Sequence, residues 1–299
     1  MPTLNPLQWV KSYTHWLHTR WPAGKPEKLP IADDQGRTNV DGLYIVGDLT
    51  GVPLLKLSAT AGVQAVRNIK GELGDTEPDE DVVDVAIIGG GTSGFAAALE
   101  AKKLGLKYVL LEASEPFSTI VNFPKGKPIF KYPTETPIEG DIELHEKSDI
   151  KEGLIEDLRE QTVDQGLKWI KARATHIERS SGLLEVVLGG KPEQPEGVSL
   201  NGTSFVLEQE RIKARRVVVG IGRSGNYRKL GVPGEKLDKV YNRMHDPADY
   251  CGSNVLVVGG GDSAMETAIA LGKCGAHVTL SYRKPEFNRP KPENVEALL

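Results

Sequence analysis

The chain has 299 residues, 39% hydrophobic and 26% charged, enough for two domains that each bury a core. With 41 acidic against 37 basic residues the net charge is −4, which gives no electrostatic basis for nucleic-acid binding. Its two cysteines, Cys251 and Cys274, exclude a disulfide scaffold and form no CxxC pair, no apolar run approaches the ~20 residues of a membrane span, and the N-terminus lacks the apolar core of a signal peptide, so a reduced, cytoplasmic setting is expected.

Residues 1–37 hold three of the four tryptophans. Leu7, Val10, Tyr13, Trp16, Leu17 and Trp21 recur at helical spacing as far as Pro22, which predicts a helix packed on the neighbouring domain. A lid, a partner-docking helix or a membrane-surface anchor is the sharper alternative. Next comes Thr38-Asn-Val-Asp-Gly-Leu-Tyr-Ile-Val-Gly-Asp48, read as a short strand over 43–46 ending in Gly47-Asp48. A loop and a small-residue helix over about 58–69 follow, with Ser58 as its N-cap. Residues 71–81 carry six acids in eleven positions and read as a solvated linker.

Asp84-Val-Ala-Ile-Ile-Gly-Gly-Gly-Thr-Ser-Gly94 then reads as a buried strand running into a glycine turn and an alanine-rich helix. Gly105 should end that helix in a left-handed conformation, and a second strand is predicted over 108–112. Strands over 167–177, 183–188, 203–207 and 211–220, separated by a polar loop at 189–202, predict a small antiparallel layer. At an offset of 170 residues (84 to 254) the opening motif recurs as Asn254-Val-Leu-Val-Val-Gly-Gly-Gly-Asp-Ser-Ala264, with Gly275 and a strand over 277–282 behind it.

Each copy carries a GxGxx(G/A) turn between a strand and a helix, the arrangement that binds a dinucleotide pyrophosphate at a helix N-terminus. The contact residues are then Gly89, Gly91, Thr92, Ser93 and Gly94 in the first copy, and Gly259, Gly261, Asp262, Ser263 and Ala264 in the second. Glu112, 23 residues after Gly89 (89 to 112), is placed to accept hydrogen bonds from an adenosine ribose. The second copy has Tyr282 there instead, followed by Arg283, Lys284 and Arg289, cations suited to the 2′-phosphate of NADP(H).

With these motifs in place, the chain resembles the two-dinucleotide flavoprotein reductases that include the thioredoxin reductases. The resemblance covers about 38–70 and 82–299. Val217-Val-Val-Gly-Ile-Gly-Arg223 and Leu230-Gly-Val-Pro-Gly-Glu235 are similar to the crossover between the family's two domains. Asn122-Phe-Pro124 and Tyr132-Pro133 are similar to relatives without a redox-active CxxC. The resemblance implies FAD on the first fingerprint and NADPH on the second. It gives Asp48 the flavin's ribityl hydroxyls, Gly47 the close approach, and the following helix a positive end directed at the flavin pyrimidine. In the family the Gly-Asp motif lies near the C-terminus, so its position here implies a circular permutation. The stretch after 228 holds one β-α-β unit, which implies an NADPH domain cut short.

The expected architecture is α/β: two Rossmann-like domains with parallel sheets and a small antiparallel layer, the second domain incomplete. Its parts are a Trp-rich helical segment (1–37), the permuted FAD motif (38–70), the acidic linker (71–81), the FAD-binding domain (82–227) and a partial NAD(P)H-binding domain (228–299). The expected activity is hydride transfer from NADPH to flavin and onward to an unidentified small-molecule or redox-protein acceptor, without a CxxC relay. About Asn242-Arg243-Met244-His245 occupies the place of that relay, and Ser93 stands where reducers of small disulfides carry a cysteine. Cys251 and Cys274 read as small apolar residues, and His245 as a loop histidine whose alternative role is proton donor. No catalytic side chain and no metal ligand is singled out, and a homodimer is one arrangement left open. A non-catalytic FAD/NADP(H) sensor and a small-disulfide reductase with a cysteine supplied elsewhere are the rival readings.

Overall fold

The computed structural model describes residues 29–131, 133, 135–190, 210–223, 229–288 and 290–299. The tryptophan-rich helix, the strand over 203–207, Tyr132 and Arg289 lie outside the described residues. Two units divide the chain, one within 1–121, 129–149 and 153–226, the other within 122–128, 150–152 and 227–299.

The first unit grows around β2 (Val82–Ile88), whose seven residues are all buried, as a parallel strand covered on both faces requires. Asp84 is the one charge in that run. It is compensated by the Lys107 N–H at 2.9 Å and the Arg215 guanidinium at 2.9 Å. The turn after β2 leads into α2 (Thr92–Lys103) and back to β3 (Tyr108–Glu112), parallel to β2 with Ile87 opposite Leu110. Gly105 has φ +68 beyond the end of α2, and Gly275 has φ +88 at the matching point of the second copy, as expected of left-handed helix ends.

The remaining strands are β1 (Leu43–Ile45), β4 (Ile170–Lys171), β5 (Ala174–Ser180), β6 (Leu183–Leu188) and β7 (Arg211–Val219). With β2 and β3 they form one seven-stranded sheet, six strands in the order β4-β3-β2-β7-β6-β5 and β1 joined to β7 off that path. The expected antiparallel layer is continuous with the parallel sheet, because β7 serves both. Leu184 of β6 pairs antiparallel with Ala214, while farther along β7 Leu43 of β1 pairs parallel with Val217. The 167–177 stretch breaks between β4 and β5, and Ser181-Gly182, both at positive φ, turn β5 into β6.

Helix α1 (Leu55–Leu73) extends beyond the expected 58–69 at both ends. Its N-cap is Leu54 without a side-chain hydrogen bond, so Ser58 lies inside the helix and is not the cap. Gly62 sets how close α1 and α2 approach: a Cβ there would come 2.1 Å from the Ser93 carbonyl oxygen. Glu72, near the end of α1, ties three elements together. It accepts from the Tyr44 hydroxyl at 2.5 Å, from Arg37 at 3.1 Å and from Arg216 at 2.9 Å. Burial first, and the Glu72 bond second, push the Tyr44 phenol up to about 12. The 71–81 stretch is therefore not a free linker. Its first part is helix, Arg215 holds the Thr76 carbonyl at 2.5 Å, and Lys213 pairs with Asp81 at 2.6 Å.

Sequence reading did not single out the four-residue α3 (Ser118–Val121) or α4 (Lys151–Glu160). The latter brings Leu154 and Leu158 into the interior together with Asp157, a carboxylate with 1% exposure.

The second unit contains β8 (Asn254–Val258), α5 (Asp262–Lys273), β9 (His277–Ser281) and α6 (Pro292–Leu298). β8 and β9 pair in parallel, with Leu256 opposite Thr279. Met244, Val257, Ala268 and Leu271 form its buried cluster, whereas Leu256 and Val258 of the same strand are exposed. Met244 is thus a core residue in the stretch read as the place of a relay. No helix among the described residues is long and apolar enough to cross a membrane.

Candidate nucleotide-binding sites

In the first fingerprint the glycines divide between packing and opening. Gly89 has φ +110, and a Cβ on it would come 2.5 Å from the Gly220 carbonyl oxygen. At Gly94 a Cβ would fall 1.8 Å from the Gly89 carbonyl oxygen, so α2 rests directly on the end of β2. Gly91 differs: a Cβ there meets nothing within 4 Å, and this residue caps α2 without any side-chain acceptor. Its place at the positive end of a helix with unpaired N–H groups is the cradle a pyrophosphate requires. Phe117, at φ +58, flanks the turn; its N–H donates to the Gly90 carbonyl at 2.8 Å and its ring stacks on Phe95 at 4.7 Å.

Glu112 ends β3 beside that turn and is buried. One carboxylate oxygen accepts the Gly90 N–H at 2.7 Å, and the other accepts the N–H and hydroxyl of Ser114 at 2.9 and 3.0 Å. Glu112 thus also organises the turn, a structural duty that sequence reading did not assign to it. Each oxygen has two lone-pair directions, so the one facing Gly90 keeps acceptor capacity for a hydroxyl.

Gly47-Asp48 reaches the same turn from β1. A Cβ on Gly47 would stand 2.8 Å from the Ser93 Oγ, and one on Gly220 would stand 2.9 Å from that same atom. Ser93 is therefore buried between the ends of β1 and β7, with Thr92 buried beside it. Asp48 receives the Ser58 hydroxyl at 3.5 Å, and burial holds its carboxyl above the ordinary range against the opposing pull of that bond. The structure thus brings Gly89, Gly91, Thr92, Ser93, Gly94, Glu112, Gly47 and Asp48 to one end of one sheet. Sequence reading missed Gly62 and Phe117 there; the positive φ of a bulky residue is visible only in the folded backbone.

The second fingerprint repeats the geometry. Gly259 has φ +152, with Ala264 taking the place of Gly94, and Gly261 caps α5 facing open space. Gly260 lies against the ring of Tyr282 as Gly90 lies against Glu112, which places the two side chains at equivalent positions. Tyr282 stacks on Phe287 at 5.4 Å. Arg283 is exposed and Lys284 half-buried on the loop after β9, and Ser263 is exposed in the first turn of α5. Asp262 is turned toward the chain itself: it accepts the Lys291 N–H and the Asn294 amide, both at 2.7 Å, fastening the start of α6. His245 is exposed, and its carbonyl accepts the Lys125 N–H at 2.8 Å.

The reading of the cysteines requires correction. Cys251 is exposed and Cys274 half-buried, so neither is enclosed as a small apolar residue would be. The two thiols approach the same acceptor, the Pro247 carbonyl oxygen, at 3.9 Å for Cys251 and 3.1 Å for Cys274. Among the described residues no group of three or more His, Cys, Asp or Glu could hold a metal ion.

Two strand–glycine turn–helix units, each with an open glycine at the head of its helix, define a protein with two dinucleotide-binding folds. The family model for pyridine nucleotide-disulphide oxidoreductases matches residues 86–298, and the chain belongs to that family. It is 27% identical over 213 residues to a ferredoxin–NADP reductase of Ignicoccus hospitalis, covering 69% of this chain and 58% of that protein. It is 30% identical over 222 residues to a ferredoxin–NADP reductase of Gluconacetobacter diazotrophicus, covering 72% and 56%. Among solved structures, the bacillithiol disulfide reductase Bdr from Bacillus cereus shares the fold, with a TM-score of 0.59 at 24% identity over 73% of this chain and 64% of that one. The chain spans less than three-fifths of the length of these curated relatives.

Proposed function

We propose that this chain is the dinucleotide-binding part of an NADPH-dependent flavoprotein reductase. FAD is held at the first fingerprint and NADPH at the second. The observation that carries this reading is the pair of open glycines, Gly91 and Gly261, each heading an uncapped helix while the glycines around it are closely packed. The bound groups supply hydride transfer from nicotinamide to flavin and release of electrons to an acceptor, a small molecule or a redox protein. The chain's residues bind and orient. Gly91 admits the pyrophosphate, Thr92, Ser93 and Gly94 form the first turn of the helix beneath it, and Glu112 takes the ribose. Asp48 takes the ribityl chain, and Gly47 keeps that approach open. At the second site Gly259, Gly261, Ser263 and Ala264 form the turn and the helix start, with Asp262 anchoring the neighbouring segment. Arg283, Lys284 and Arg289 take the 2′-phosphate.

The permuted origin of 38–70 belongs to the same proposal. It is supported by the parallel pairing of β1 with β7 and by the packing of Gly47 against Ser93. A reduced, cytoplasmic setting suits a chain with two cysteines and no CxxC pair.

The test is reconstitution of the purified chain with FAD followed by anaerobic addition of NADPH. Retained flavin whose yellow colour bleaches is the expected result. Retained flavin that does not bleach would favour the sensor, and failure to retain flavin would overturn the assignment of the first site. Replacing Arg283 and Lys284 together with alanine should reduce the preference for NADPH over NADH by about tenfold or more, through loss of charge-assisted bonds to the 2′-phosphate. Dissociation constants of both nucleotides measured on the two proteins decide it, and an unchanged ratio counts against the role.

A further inference from the structure

The two cysteines of this chain, far apart in sequence, meet at one carbonyl. The Cys251 thiol lies 3.9 Å and the Cys274 thiol 3.1 Å from the oxygen of Pro247. The backbone holds them there. The Gly252 N–H donates to the Gly275 carbonyl at 3.2 Å and the His277 N–H to the Ser253 carbonyl at 2.9 Å, so 251–253 runs alongside 274–277. Cys274 is the C-cap of α5, and Cys251 follows the short 3-10 turn Pro247–Tyr250. The pair thus lies at the opposite end of α5 from the second fingerprint. Twelve helical residues set the separation from that turn at about 18 Å.

We propose that Cys251 and Cys274 are a dithiol–disulfide couple that reacts with small organic disulfides from solution, a thiol centre separate from both fingerprints. Cys251, the exposed member, attacks one sulfur of the small disulfide as its thiolate, forming a mixed disulfide and releasing one small thiol. Cys274 then attacks the Cys251 sulfur, closing the protein disulfide and releasing the second small thiol. The two protein thiols are oxidised, the one small disulfide is reduced to two thiols, and the two protons lost by the cysteines are taken up by the released thiolates. The resulting ring runs from 251 to 274 and encloses β8, the glycine turn and α5. Contact with the Cys274 thiol holds the Cys251 thiol above the ordinary range, so less of it is thiolate and its first attack is slower than that of an activated cysteine.

The experiment exposes the reduced full chain to glutathione disulfide in oxygen-free, chelator-treated buffer. Intact mass, a thiol count and a peptide map are followed with time. The expected result is a monomer that has lost two hydrogens and both titratable thiols. It carries a 251–274 cross-link in at least about tenfold excess over glutathione adducts and returns to the dithiol under dithiothreitol. Cys274→Ser should stop at a single glutathione adduct on Cys251. Should that variant fail to fold, Cys251→Ser serves instead, and its Cys274 should remain free while the wild type closes. A wild type that keeps a glutathione adduct on Cys251 beside a free Cys274, that cross-links into dimers, or that leaves both thiols unreacted would overturn the proposal.

Discussion

Gly94→Ala should destabilise the first unit by about 3 kcal/mol or more, even though alanine is the better helix former by roughly 1 kcal/mol. The added methyl would sit 1.8 Å from the Gly89 carbonyl oxygen, and that contact is with backbone, which has no rotamer to yield. α2 must therefore lift from β2, opening the interface that holds the fingerprint turn. Gly91→Ala, three residues earlier, is the control. Its Cβ meets nothing within 4 Å, and its backbone, at φ −87 and ψ −173, suits any residue. Stability should change by less than about 1 kcal/mol, while flavin retention falls because the methyl occupies the space the pyrophosphate needs. Urea unfolding and FAD retention, measured on both variants, separate the two effects. Equal stability of Gly94→Ala and wild type would refute the packing argument.

Asp157→Asn is expected to cost about 2–4 kcal/mol. The buried carboxylate has every acceptor direction taken. One oxygen accepts from the His145 ring at 2.6 Å and Gln161 at 3.1 Å; the other accepts from the His145 N–H at 2.9 Å and the Ser148 hydroxyl. An amide would turn two donor hydrogens toward groups that themselves donate. The pH dependence carries a definite sign. Asp157, with the Ser148 and His145 bonds outweighing its burial, sits below the ordinary carboxylate range. The Asp157 hydrogen bond and charge raise the His145 imidazole above its usual value. The imidazolium's contribution is full below the ordinary histidine pKa and is lost as pH rises through the raised one. The carboxylate's contribution is present above its ordinary value and is lost as pH falls through the lowered one. Wild-type stability should therefore decline across the span between the ordinary and raised imidazole values, and Asp157→Asn should flatten that decline. Unfolding curves across that span measure it, and an unaltered slope in the variant would rule out the pair as the cause.

Much of the first site was legible before folding was considered, although the reasons differ residue by residue. Gly89, Gly91 and Gly94 were readable because their demands fall within six residues of chain. Glu112 was readable as a carboxylate at the tip of the next strand, but not as the acceptor that steadies Gly90. Ser58 was misread as a cap because local pattern does not reveal that α1 begins three residues earlier. The acidic 71–81 stretch is largely exposed, as its composition suggested, but its tethering was not legible because Arg215 and Lys213, which hold it, lie far along the chain.

What the sequence determined by itself was the repeated strand–turn–helix unit and the kind of ligand it suits, because a tight glycine turn and a helix N-terminus are short-range consequences of residue type. Only the tertiary structure decided where 38–48 docks, that Gly47 and Gly220 close on Ser93, and that Cys251 faces Cys274. Those contacts include pairs 23 (251 to 274) and 174 (43 to 217) positions apart. Their geometry depends on how strands align across a sheet and on where a helix ends against the next strand, which no local pattern of residues encodes.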